Sequence, residues 1–126
     1  MLKWKVFRSP WLAIGWFLTM NILFFLPGSA LPQSNVFTEI YFDKWAHVGL
    51  FAGLVFLWRS AFDWNIKTYE AWIFMLSVLY GFVVELIQQN LVANRSFDMY
   101  DLMADTAGVV LGLLVWWRVY KKNKPL

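Results

Sequence analysis

The hydrophobic pattern divides the chain into four apolar segments that are separated by short polar stretches. The predicted helices cover about residues 7–26, 44–62, 69–91 and 98–120. At a rise of about 1.5 Å per residue, each segment is near the length that crosses a hydrocarbon core of about 30 Å. Charged ends make the second and fourth segments the most marginal spans. The pattern therefore predicts an all-α membrane protein with four transmembrane helices in a small bundle.

The composition supports a membrane protein and a single domain. The chain has 126 residues, of which 60% are hydrophobic and 15% are charged, and its mean hydropathy is +0.52. A soluble protein of this size needs more polar surface. Cysteine is absent from the sequence, which excludes disulfides and thiol chemistry.

The first apolar segment has a second interpretation as a secretory signal peptide. It follows a basic start at residues 1–9, and the small residues at 28–30 come shortly after it. The apolar run also extends back through Val6 and Phe7 and carries several bulky aromatic residues. These features favour a retained helix, and the alternative of cleavage stays open.

The distribution of charge predicts the orientation of the bundle. The two termini and the connection near residues 59–70 hold nine of the eleven basic residues, whereas the opposite side holds six of the eight acidic residues. Lysine and arginine accumulate on the cytoplasmic side of membrane proteins. We therefore expect both termini to be cytoplasmic. Orientation also accounts for the net charge of +3, so no nucleic-acid partner is expected.

A group of polar residues lies where the second, third and fourth helices approach the outer face. Its members are Lys44, His47, Glu85, Gln88, Arg95, Asp98, Asp101 and Asp105. Glu85 and Asp105 lie about two turns from the nearest predicted helix end, roughly 10 Å along the axis. A carboxylate at that depth costs several kcal/mol unless it is paired, protonated or hydrated.

Three interpretations of this group are open. In a structural network, Arg95 would bind a carboxylate through two hydrogen bonds, and Gln88 or His47 would bond between helices. In a binding site, Arg95 and Lys44 would contact a phosphate. Glu85, Asp101 and Asp105 would orient the pocket or hold a divalent cation. In a catalytic site, Glu85 or His47 would act as a general base. The sequence shows no cofactor fingerprint, phosphate loop or nucleophile motif.

Two glycine pairs indicate close packing of helices. Gly108 and Gly112 form a GxxxG pair in the fourth helix, and Gly49 and Gly53 repeat that spacing in the second. Such pairs allow helix backbones to approach closely, within one chain or in a dimer. The two pairs are candidates to face each other. The oligomeric state is not determined by the sequence.

The order and spacing of these polar residues resemble the VanZ-like membrane proteins over about residues 27–117. The matching residues are Asp43, Lys44, His47, Glu85, Gln88, Arg95, Ser96, Phe97, Asp98, Asp101, Asp105, Gly108 and Gly112. One departure is Asp105, where many members carry asparagine, so this chain has an additional acid.

The resemblance implies a bacterial inner-membrane protein of the cell envelope. The founding member is linked to low-level resistance to the glycopeptide teicoplanin, and no biochemical activity is established for the family. We therefore expect membrane lipids as partners, and a lipid head group or lipid-linked cell-wall precursor as the ligand. A metal-assisted enzyme acting on such a head group and a structural or assembly subunit are the alternatives.

Overall fold

The computed structural model describes residues 6–25, 42–64, 66–91 and 99–121, and it contains helices and no strand within them. A 3₁₀ turn at Val6–Arg8 precedes α1 (Pro10–Phe24). The helices α2 (Phe42–Ala61), α3 (Tyr69–Leu91) and α4 (Met99–Trp116) follow, and a π-helical turn at Trp117–Lys121 continues α4. The prediction of an all-helical chain with four helices is confirmed.

The helix ends differ from the predicted bounds by a few residues. Helix α1 is shorter than predicted because it begins at Pro10, whose fixed φ angle suits a first helical position. Helix α2 begins two residues earlier than predicted, whereas α3 matches the predicted range. Residues 26–41, which connect α1 to α2, lie outside the described residues.

Two of the helices are long and apolar enough to cross a membrane. They are Tyr69–Leu91 and Met99–Tyr120, and only 22% and 28% of their most apolar stretches are buried inside the protein. The core helix of a soluble protein would be mostly buried, so this exposure favours contact with lipid. Helix α1 is apolar but shorter, with 15 residues.

The contact between α2 and α4 forms the centre of the structure. A Cβ atom on Gly108 would overlap the carbonyl oxygen of Val48, and one on Gly112 would lie 2.6 Å from the carbonyl oxygen of Ala52. Since only glycine permits this approach, α2 and α4 come together along the glycine pair of α4.

The expectation that the two glycine pairs face each other is wrong. Gly53 lies against the ring of Trp16 in α1, and a Cβ on Gly49 would have no atom within 4 Å. The indole of Trp16 also donates a hydrogen bond of 2.8 Å to the carbonyl oxygen of Leu50. The side of α2 that carries Gly53 therefore receives α1, and its other side receives α4.

Candidate functional site

The polar residues of α3 and α4 lie on the buried faces of these helices. In α4, the buried positions are Asp105, Gly108, Val109, Gly112 and Trp116, which recur at helical spacing. In α3, Gly81, Val84, Glu85 and Gln88 follow the same rule. The apolar faces that remain are exposed, so the polar residues point toward the protein interior.

His47 of α2 joins the two aspartates of α4. Its Nδ1 lies 2.6 Å from Oδ1 of Asp105, and its Nε2 lies 3.7 Å from Oδ2 of Asp101. The imidazole is almost fully buried, and the ring of Phe24 covers it at a centroid distance of 5.0 Å. The side chain can therefore bridge two carboxylates as imidazolium. As a neutral ring it can donate from Nδ1 and offer its Nε2 lone pair.

Glu85 reaches the same place from α3 and has no exposed surface. His47, Glu85 and Asp101 each present one ligand atom, and these three atoms lie within 4.8 Å of one another. The sequence predicted Glu85, Asp101 and Asp105 as metal ligands. The structure instead groups His47 with Glu85 and Asp101, and it places Asp105 behind His47.

Asp105 is buried beneath the histidine. Its Oδ1 contacts His47, whereas its Oδ2 has no hydrogen-bond partner within the described residues. That second oxygen lies against Gly81 of α3, where a Cβ atom would be only 2.6 Å away. Gly81 therefore provides the space that allows α3 to pack beside a carboxylate.

Lys44 lies one turn before His47 at the partly exposed edge of the group. Its Nζ is 2.9 Å from Oδ1 of Asp101, an ion pair that is not aligned as a hydrogen bond. The ammonium is thus near a carboxylate and still reaches the surface. Lys44, His47, Glu85, Asp101 and Asp105 are called the His47 cluster below.

Gln88 connects helices next to this cluster. Its Nε2 donates a hydrogen bond of 2.6 Å to the carbonyl oxygen of Phe24, at the end of α1. The last carbonyl groups of a helix have no partner inside it, so this bond satisfies a buried acceptor. The geometry supports the interhelical role that the sequence suggested for Gln88. The remaining predicted site residues, Arg95 and Asp98, lie outside the described residues.

The His47 cluster carries more negative than positive charge. Three carboxylates, of Glu85, Asp101 and Asp105, accompany one ammonium, and the histidine adds a positive charge only when it is protonated. Buried charges are costly unless they are balanced. The described residues of this cluster offer carboxylate oxygens and an imidazole nitrogen, which are groups that can hold a proton or a cation.

A second polar cluster, at the opposite end of the bundle, was not predicted. Arg59 lies 2.6 Å from Asp63 and 3.0 Å from Glu70, and Arg8 lies 3.2 Å from Asp63. The Arg59 guanidinium also lies over the ring of Trp116, 3.8 Å from its centroid. The i, i+4 spacing of Arg59 and Asp63 was a visible signal. These four charged residues are called the Arg59 cluster below.

A large apolar groove lies between α1, α2 and α3. It has a volume of about 620 Å³, and its wall includes Phe17, Val55, Trp58, Trp72 and Tyr80. It follows α3 from Tyr80 to Tyr69, a distance of roughly 16 Å at the helical rise. Its Tyr80 end adjoins Gly81, so the groove leads away from the His47 cluster toward the Arg59 cluster.

The chain is an all-α protein with a buried polar site and two helices that are long and apolar enough to cross a membrane. The VanZ/LLP1 family model matches residues 3–120, nearly the whole chain. The chain therefore belongs to the VanZ/LLP1 family, as its sequence motifs suggested. Family membership and the two long apolar helices together indicate a membrane protein. No solved structure matches the chain.

Proposed function

We propose that the chain is a multi-pass protein of the bacterial inner membrane whose His47 cluster binds a head group at the outer face. The ligand would be an envelope lipid or a lipid-linked cell-wall precursor. In this proposal, all four helices cross the membrane and both termini are cytoplasmic. The convergence of His47, Glu85 and Asp101 from three helices in a mostly buried position is the observation that supports a ligand.

Helix lengths and exposed side chains support four spans. Helix α2 has 20 residues and α1 has 15, which correspond to about 30 Å and 22 Å. Although α1 is short, it exposes Trp11, Leu18 and Ile22 along its length. Such a face suits lipid, and a short helix is accommodated by local thinning of the bilayer.

The topology can be tested with single cysteines, because the natural chain has none. In Lys67→Cys, the thiol should react with a membrane-impermeant maleimide only after the cells are opened. In Ser34→Cys, it should react in intact spheroplasts. The reverse labelling would contradict cytoplasmic termini, and labelling of both sites from one side would contradict four spans.

The excess negative charge restricts the kind of head group. A phosphate alone would be repelled by the carboxylates of Glu85, Asp101 and Asp105, even if Lys44 and Arg95 contacted it. The ligand must therefore contain an amine, or it must bind together with a cation. Phosphatidylethanolamine and a cation-bridged pyrophosphate meet this condition, whereas phosphatidylglycerol alone does not.

The apolar groove is consistent with a lipid bound from the outer leaflet. A head group at the His47 cluster would place its hydrocarbon chain toward the membrane centre. The groove begins beside Gly81 and extends in that direction. Its wall is mainly hydrophobic and aromatic, as expected of a site for an acyl or polyprenyl chain.

Native mass spectrometry of the protein released from mild detergent tests the proposal. We expect wild type to retain a lipid that Arg95→Ala and Glu85→Gln lose, while both variants stay helical by circular dichroism. The matched control is Lys67→Ala, which removes an exposed positive charge from the connection at the opposite end. Equal retention by all four folded proteins, or no retention by wild type, would contradict a head-group site.

A metal-assisted enzyme is the second candidate, and the contact between His47 and Asp105 favours it. A carboxylate that accepts from Nδ1 orients the ring and makes Nε2 a better base. Under this alternative, hydrolysis of a lipid-linked pyrophosphate would disappear in Glu85→Gln while the lipid is still retained. Retention without turnover in wild type leaves a binding protein. A structural subunit, which the Gln88 bond favours, would retain no ligand.

We also propose that an outer-face ligand of this kind links the chain to glycopeptide sensitivity. Expression of wild type should raise the minimal inhibitory concentration of teicoplanin relative to Glu85→Gln at equal protein level. An equal inhibitory concentration for the two strains would contradict a role in glycopeptide sensitivity. Lipid binding would still be tested directly by mass spectrometry.

A further inference from the structure

We propose that His47, Glu85 and Asp101 bind a single divalent transition-metal ion, with Asp105 positioning the histidine. The three ligand atoms come from α2, α3 and α4, and they already lie within 4.8 Å of one another. The site therefore requires the packed bundle and does not exist in any single helix.

The contact between His47 and Asp105 selects the tautomer that binds metal. With Nδ1 only 2.6 Å from Oδ1 of Asp105, the proton of a neutral imidazole belongs on Nδ1. The Nε2 lone pair then faces Asp101, whose Oδ2 lies 3.7 Å away. Metal-bound histidines usually donate their other nitrogen to a carboxylate or carbonyl in this way, which orients the ring.

The spacing of the ligand atoms suits a metal ion after a small adjustment. Bonds of about 2.1 Å to nitrogen and oxygen place neighbouring ligand atoms roughly 3–4 Å apart. The His47 and Asp101 atoms already satisfy that range. A shift of less than about 1 Å in the widest pair, for example by rotation of the Glu85 carboxylate, completes the arrangement.

The charge balance points to an ion with two positive charges. The two candidate carboxylate ligands, Glu85 and Asp101, together carry two negative charges when they are ionised. The Oδ2 atom of Asp105 is also buried without a hydrogen-bond partner in the described part of the chain. A divalent cation would balance these two carboxylates in a mostly buried position.

The ligand types favour Mn²⁺ or Zn²⁺. One imidazole nitrogen with two carboxylates suits these ions, whereas Ca²⁺ and Mg²⁺ prefer oxygen ligands alone. The described residues supply three protein ligands, which leaves at least one position for water or a phosphate oxygen. That a phosphate oxygen of a lipid occupies this position rests on the proposed head-group function. Binding of the ion does not depend on that function.

Electron paramagnetic resonance of Mn²⁺ added to chelator-treated protein in detergent tests the inference without any lipid. We expect one bound ion per chain, displaced by Zn²⁺ but not by an equal concentration of Mg²⁺. Glu85→Gln and Asp101→Asn should each weaken binding at least about tenfold. Loss of the positioning carboxylate in Asp105→Asn should weaken binding about 10–100-fold. Asp63→Asn, which removes an acid from the Arg59 cluster, should leave the affinity unchanged.

The outcomes separate this inference from the proposed function. If folded wild type binds no Mn²⁺ or Zn²⁺, or if Asp101→Asn and Asp63→Asn bind equally well, the metal site is wrong. Lipid retention that survives chelator treatment would then still support head-group binding through an amine. If the ion binds as expected and no lipid is retained with or without it, the metal site holds and the head-group proposal fails.

Discussion

The two polar clusters lie in one helical bundle but differ in their charged groups and in how deeply these are buried. The Arg59 cluster has two guanidinium groups and two carboxylates, and its carboxylates remain partly exposed. The His47 cluster has three carboxylates against one ammonium, and Glu85 and Asp105 are almost completely buried. The charges of the first cluster are balanced by its own residues, and its ion pairs connect the helices at that end of the bundle. The second groups carboxylates with a histidine, and these side chains can hold a proton or a cation.

The largest effect is expected where α4 packs on α2, because that contact brings His47 to Asp105. Gly108→Ala places a Cβ against the carbonyl oxygen of Val48, and neither backbone can give way cheaply. We expect a loss of about 2–3 kcal/mol in the free energy of unfolding, measured by thermal or denaturant unfolding in detergent. Mn²⁺ binding should be lost with it.

The matched control is Gly49→Ala on α2. No atom lies within 4 Å of the added Cβ, and alanine favours a helix more than glycine does. Its stability should be equal to wild type or up to about 1 kcal/mol higher. Equal destabilisation by both substitutions would show that α2 and α4 do not pack as described.

A substitution in the Arg59 cluster should lower the free energy of unfolding moderately, and by the same amount with and without Mn²⁺. Arg59→Met removes the contact with the Trp116 ring and two ion pairs whose acids are partly exposed. Partly exposed pairs contribute little, so most of the expected loss of about 1–2 kcal/mol comes from the cation–π contact. Unfolding monitored by circular dichroism, with and without Mn²⁺, measures it. A variant that also loses Mn²⁺ affinity would contradict the independence of the two clusters.

When no ion is present, replacing an acid by its amide should change the free energy of unfolding in opposite directions in the two clusters. Glu85→Gln removes a carboxylate that is completely buried, so we expect the ion-free protein to gain about 1 kcal/mol. Asp63→Asn removes a charge from a balanced group and should cost about 0.5 kcal/mol. Both are measured by unfolding in a chelator. Destabilisation of similar size in both variants would mean that Glu85 is balanced within the protein.

The smallest effect is expected for Lys44→Gln at the edge of the His47 cluster. Its ion pair with Asp101 is partly exposed and contributes at most about 1 kcal/mol. We expect a slight loss of stability without the ion, and little change or a gain in Mn²⁺ affinity, because Asp101 is released. Titration with Mn²⁺ decides this point. A strong loss of affinity would mean that Lys44 holds Asp101 in place.

The helices, and the group of polar residues near their outer ends, were predictable because each depends on the local sequence. The sequence placed Glu85 and Gln88 at the same end of the bundle as Asp101 and Asp105. Hydrophobic length predicted the helices, although the end of α1 differed because no strong stop signal occurs before Pro27. The depth of Glu85 and Asp105 also followed from counting residues along the axis.

Pairings between helices were not predictable, because they depend on how the helices rotate about their axes. The sequence could not show that Asp105 contacts His47, or that His47 rather than Asp105 lies together with Glu85 and Asp101. Nor could it show that Gly53 receives Trp16 rather than α4. Arg59 looked like an ordinary charge at a cytoplasmic helix end. Its position over Trp116 depends on the fold.

The most direct test of the central claim is the change in unfolding temperature when Mn²⁺ is added to chelator-treated protein. Wild type and Asp63→Asn should each be stabilised, by about 2.7 kcal/mol at an ion concentration 100 times the dissociation constant. Glu85→Gln, tested at the same concentration, should shift far less. If Mn²⁺ stabilises none of the three, or stabilises Glu85→Gln as much as wild type, the His47 cluster is not completed by a bound cation.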